Sequence, residues 1–140
     1  MLKFVKLTTL SLLALSMHSL PTVHVATQMM GLTPQSYKVT VTAYTNVSKC
    51  GKGNPNVTAS AVRIKPNHYQ RLVALSTDLA RFFNFGDRFQ LWVNKKLYQV
   101  VFLDSMPKKH RKKVDLLLPS IQACRQFGKK SGVLIPLNET

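Results

Sequence analysis

Several stretches of the chain alternate apolar and polar residues with a period of two. "YKVTVTAYT" (37–45) sets Tyr37, Val39, Val41 and Ala43 against Lys38, Thr40, Thr42 and Tyr44, which is the pattern of a strand with one buried face. "RLVALS" (71–76) reads as a strand running inside the molecule. "RFQLWV" (88–93) alternates again, and "LYQVVFL" (97–103) returns after "NKK", whose composition suits a hairpin connection. "VDLLLP" (114–119) and "SGVLIPL" (131–137) read as further strands, while "VTASAVR" (57–63) is short and β-branched. Trp92, beside Phe89 and Leu91, is assigned to the core, with a sugar-stacking platform as the alternative.

One segment carries a clear helical signature. In "SIQACRQFG" (120–128), Ser120 suits the N-cap, Ile121, Cys124 and Phe127 share a face, and Gly128 stands at the C-terminal stop. "TDLARFF" (77–83) predicts one or two helical turns with Thr77 as N-cap. "SKCGKGNPN", "KPNH" and "NFGD" are rich in turn residues, and Asp87 after Gly86 is read as one of them. Five to seven short strands with one or two short helices predict a mainly β fold, a small closed barrel rather than a sandwich.

The 140 residues suffice for one domain with an appendage, and 45 % hydrophobic content suffices for a core. At the start, Lys3 and Lys6 precede a short apolar run, Leu7 to Met17, interrupted by Ser and Thr. Pro21 ends that run and Ala26 offers a small residue for cleavage. This resembles a secretory signal peptide over 1–26, too short for a membrane span of about 20 residues. Residues 27–37 then form a tether and 38–137 the domain. The expected location is periplasmic or secreted, or membrane-anchored if the leader stays uncleaved.

Twenty Lys and Arg against five Asp and Glu give a net charge of +15. Such a charge selects partners rather than a fold. An exported protein rarely meets nucleic acid, so anionic envelope polymers are the expected partners, with a basic nucleic-acid-binding protein as the remote rival. The densest basic run, Lys108, Lys109, Arg111, Lys112 and Lys113, is assigned to contact with those polymers. Cys50 and Cys124 could close a disulfide worth about 4 kcal/mol in the chain-entropy model, or stay apart as two thiols. With His68 and His110 they are too scattered for a zinc site, and no metal or cofactor is implied.

The five acidic residues are Asp78, Asp87, Asp104, Asp115 and Glu139, and two of them bracket "PKKHRKK". Charge alone would make Asp104 and Asp115 surface ion-pair partners of that run. The ordered set "VTAYTN", "GNPNVTAS", "LVALSTDL", "NFGDRFQL", "VVFLDSM", "VDLLLPS" and "ACRQFG" resembles the 3D domain family, named for three aspartates. That family is a bacterial double-psi β-barrel group, related to the catalytic domain of membrane-bound lytic transglycosylase A and more distantly to rare lipoprotein A, barwin and expansin domains. The resemblance spans about residues 38–137 and implies a six-stranded double-psi barrel acting on peptidoglycan.

Carried over position by position, the resemblance implies Asp78, Asp104 and Asp115 as the three aspartates, with Asp115 as the catalytic acid and Asp104 and Asp78 in support; the residues alone equally allow Asp78 as a helix first-turn acid. Ser105 stands where Thr is usual, and Ala61 follows Thr58-Ala59-Ser60 where Gly is usual. Tyr44, Thr58, Ser60 and Ser105 fall at positions implied to line the substrate groove. Such an acid must hold its proton near the working pH, and the apolar neighbours Val114 and Leu116 to Leu118 favour that at Asp115. A lytic transglycosylase manages with one carboxyl because the sugar's own C6 hydroxyl attacks. The alternative is a barrel of the same kind that binds the wall without turnover.

Overall fold

The computed structural model describes residues 35–47 and 53–137. The expected leader (1–26), the tether as far as residue 34, and Cys50 with its candidate bridge to Cys124 lie outside the described residues.

Six strands form: β1 Tyr37–Tyr44, β2 Leu72–Leu75, β3 Arg88–Val93, β4 Lys96–Ser105, β5 Lys113–Leu117 and β6 Lys130–Pro136. They close into a barrel in the order β1-β5-β2-β4-β3-β6. The pairs β1–β5 and β2–β4 run parallel and the other four antiparallel. Two short α-helices, α1 Thr77–Ala80 and α2 Ile121–Phe127, and a 3-10 turn at Pro66–His68 complete the described residues. The expected mainly β, six-stranded double-psi barrel is what the chain forms.

Period-two alternation builds the interior. Val39 and Val41, Val73 and Leu75, Phe89 and Leu91, Val100 and Phe102, Val114 and Leu116, and Leu134 point inward and pack together. Each such side chain contributes about 1.5–3 kcal/mol by leaving water. Trp92 is the exception to the expected core: with Phe89, Leu91 and Val93 facing in, alternation turns Trp92 out, and it is 40 % exposed.

β2 is buried at every position, and Leu117 on β5 is buried as well. The cause is the long connection between β1 and β2. It folds over the outer wall, where Ile64 meets Leu72 and Leu117 and is flanked by Tyr44, Tyr69 and Leu103. Strands covered on both faces show continuous apolar runs rather than alternation, as "LVAL" does.

The β3–β4 hairpin turns through Asn94 and Lys95, whose φ values of 46° and 65° are those of a two-residue type I′ connection. At α2, Ser120 accepts the Ala123 N–H at 3.1 Å and Gly128 stands past the last turn at φ 66°. The face of α2 that packs on the core is Ala123, Cys124 and Phe127, all half-buried, and Ile121 stays 36 % exposed. The N-cap of α1 is Ser76, one residue before the expected Thr77, and its hydroxyl accepts the Lys113 N–H at 3.0 Å instead of capping.

Candidate active site

The register lines up four outward-facing positions on adjacent strands: Thr42 opposite Asp115, Asp115 opposite Ala74, and Ala74 opposite Asp104. Directly opposed residues share a face of the sheet. Alternation alone would not put Asp104 in this row. Val73 pairs with Phe102, and the next pair is Ala74 with Asp104, so Leu103 is skipped in a bulge. Bulges re-aim side chains in this way, and here the bulge turns Asp104 onto the outer wall beside Asp115. The small Ala74 keeps the space between them open.

Two strand spacings separate the backbones of Asp104 and Asp115, about 10 Å by ordinary sheet geometry. Both line one cleft of about 910 Å³, together with Tyr44, Thr58, Ser105 and, on its apolar side, Val57 and Met106. Pro107, the first residue of the basic run's loop, also lines it. Among the described residues, no ion pair joins either aspartate to Lys108, Lys109, Arg111, Lys112 or Lys113; their neighbours are hydroxyls and amides.

Asp104 is held by three donors. Ala59 N–H and Ser105 N–H reach its Oδ1, each at 2.9 Å, and Tyr44 Oη donates to Oδ2 at 3.0 Å. The Ala59 donor is delivered by the turn 58–62, which is fastened to β4: Ser60 Oγ donates to the Leu103 carbonyl at 2.7 Å, and Thr58 Oγ1 accepts the Val62 N–H at 3.1 Å. Ser60 therefore secures the turn, and it is not among the residues lining the cleft. Ala61 closes the turn with φ 63°. This left-handed conformation explains why Gly suits that position. Burial, then the charge of Asp104, its hydrogen bond and the charge of Asp115, push the Tyr44 hydroxyl far above its usual range. It stays a donor.

Asp115 has a different environment. Thr42 Oγ1 donates to its Oδ1, and among the described residues nothing bonds Oδ2. Burial pushes its carboxyl above the usual range, the charges of Lys113 and His110 pull it back, and the charge of Asp104 adds to the rise. The net direction is upward, because desolvation outweighs the cations. Lys113 does share the outer face with Asp115, being two residues away on β5. Thr42 was not anticipated; a strand threonine carries no local signal, and its role appears only when β1 and β5 pair.

Asp78 does not line the cleft. It stands in the first turn of α1, where its Oδ2 accepts the Lys112 N–H at 2.9 Å. Partial burial opposes its ionisation, but the Ser76 hydroxyl, the Lys112 and Asp78 amides and the Arg111 charge outweigh that and hold its carboxyl below the usual range. Its evident work is to pin Lys112, whose φ is 47°, at the entry to β5. The five basic residues lie on that loop and at the start of β5, with Lys108, Lys109, Arg111 and Lys112 exposed.

No family model matches the chain, and no curated protein matches it by sequence. Solved expansin structures do share its fold. An apo expansin from Clavibacter michiganensis aligns with TM-score 0.56 and 16 % identity over 76 % of this chain and 52 % of that one. An Asp-to-Asn variant of the same expansin, in complex with cellohexaose, aligns with TM-score 0.54 and 14 % identity. The lytic transglycosylase MltA from Escherichia coli aligns with TM-score 0.45 and 16 % identity over 64 % of this chain and 29 % of its own. The chain thus spans about half the length of the expansin chains.

Proposed function

We propose that this barrel is an exported, peptidoglycan-active enzyme of the lytic transglycosylase kind, with Asp115 as its acid and base. The observation that carries the reading is the asymmetry of the two aspartates in one open cleft. Asp104 is committed to three donors, whereas burial raises the Asp115 carboxyl above its usual range and, among the described residues, its Oδ2 has no hydrogen bond. Hydrolytic glycosidases need two working carboxyl groups, one of them a base or nucleophile. A chemistry that needs only one fits this cleft better.

In that chemistry protonated Asp115 gives its proton to the glycosidic oxygen as the C1–O bond breaks. The resulting carboxylate takes the proton of the C6 hydroxyl as that oxygen bonds to C1. One sugar ends as a 1,6-anhydro ring, the other regains a hydroxyl, Asp115 is again protonated, and no water is consumed. Tyr44 and the turn 58–62 hold Asp104 in place as a polar wall of the groove. The basic run beside the cleft provides electrostatic docking for the acidic wall. The shared fold with an expansin whose structure holds cellohexaose supports a polymeric glycan as the occupant.

A second reading, a barrel that binds glycan without cutting it, is favoured by the same saturation of Asp104, which suits a fixed recognition group. Incubation of purified sacculi with the protein and with Asp115→Asn separates the two. Cleavage predicts soluble fragments from the wild type and a loss of at least about 100-fold in the variant, the scale of a lost general acid. Equal sacculus binding by both proteins, with no release by either, would establish the binding barrel instead.

A further inference from the structure

A second cleft, of about 770 Å³, opens on the barrel wall along the first half of β4, with Arg71, Arg88 and Lys96 among its lining. No acidic side chain is among the described residues that line it. Tyr69 forms one side and Gln99 contributes an amide from β4. Lys96 Nζ lies 4.6 Å from the centre of the Tyr98 ring at the start of β4, where both residues line the cleft. The leading residues differ in kind from those of the Asp104–Asp115 cleft, where apolar and hydroxyl groups surround two carboxylates.

Guanidinium groups offer forked donors that match phosphate or carboxylate oxygens in pairs. The Tyr69 ring and the Gln99 amide suit a sugar ring and its hydroxyls. We infer that this cleft is a binding site for a phosphate-bearing sugar unit of an anionic glycopolymer, separate from the site of Asp104 and Asp115. Both sites lie along one strand: Gln99 and Asp104 are five residues apart on β4, roughly 17 Å by the rise of a strand. Tyr69 links them, since it lines the second cleft while its hydroxyl donates to Asn46 Oδ1 at 3.1 Å, between Thr45 and Val47 of the first.

The site does not depend on turnover, so its test uses full-length Asp115→Asn protein and reads binding alone. Amide chemical shifts are followed while a glycerol phosphate polymer substituted with sugar is added, beside inorganic phosphate, chitohexaose and a single-stranded oligonucleotide. The substituted polymer should shift Tyr69, Gln99 and Val101, and it should bind more tightly than inorganic phosphate. Arg71→Ala combined with Lys96→Gln, both at exposed positions, should weaken it about tenfold, as loss of two charge-assisted contacts would. Unchanged affinity in a folded double variant would overturn the inference. So would shifts confined to residues 108–113, equal affinity for inorganic phosphate, or tighter binding of the oligonucleotide.

Discussion

Asp104 and Asp115 show how far one side chain can be taken in two directions by its neighbours. Three donors fix Asp104 as an acceptor, while burial raises the Asp115 carboxyl above its usual range against the pull of Lys113 and His110. The latter has a consequence for stability. Its folded pKa lies above the ordinary 3.8, so over that interval the folded state binds more protons than the unfolded chain. Stability from this group is complete below pH 3.8 and falls as the pH rises toward the folded value. Asp115→Asn removes the loss and keeps an oxygen for Thr42. Calorimetry should therefore show the variant gaining on the wild type at neutral pH, with the gain shrinking in acid. At Ala61, φ is 63°, and the left-handed region costs a residue with a Cβ about 1 kcal/mol or more. Ala61→Gly should stabilise the protein by about 1 kcal/mol in chemical denaturation.

Among the elements, the strands with one wet face were legible in the sequence, because alternation is a local signal. β1, β3 and the helix capped by Ser120 stand where the pattern puts them. What strand pairing decides was hidden. The skipped Leu103, the Thr42–Asp115 contact and the Ala59 amide on Asp104 arise from chain segments far apart in sequence. A backbone donor, moreover, leaves no trace in residue type. The core assignment of Trp92 failed because it belongs to an apolar stretch whose alternation points it outward. Close packing between elements is most exposed at Gly132 on β6. A Cβ there would come within 2.7 Å of Val41 Cγ2 and 2.8 Å of the Trp92 carbonyl oxygen. The carbonyl belongs to β3 and cannot rotate away. Gly132→Ala should cost about 1–3 kcal/mol, as overpacking does, read from the denaturation midpoint.

For the whole molecule, the closed barrel supplies a rigid wall, and the long connection between β1 and β2 thickens one side of it into a groove. The groove carries the aspartates and its edge runs into the basic loop, so a strongly cationic protein sets two of its few carboxyl groups beside its densest basic run. Composition made the cationic character plain and the motif order pointed to Asp104 and Asp115, but only closure of the barrel separates them from Asp78. The central claim is that Asp115 works alone and that the sugar supplies its own attacking oxygen. It is tested most directly by digesting sacculi in heavy-oxygen water and weighing the fragments released. The predicted fragments are one water lighter than hydrolysis products, carry no heavy oxygen and are missing with Asp115→Asn. Fragments with reducing ends that carry the heavy oxygen would contradict it.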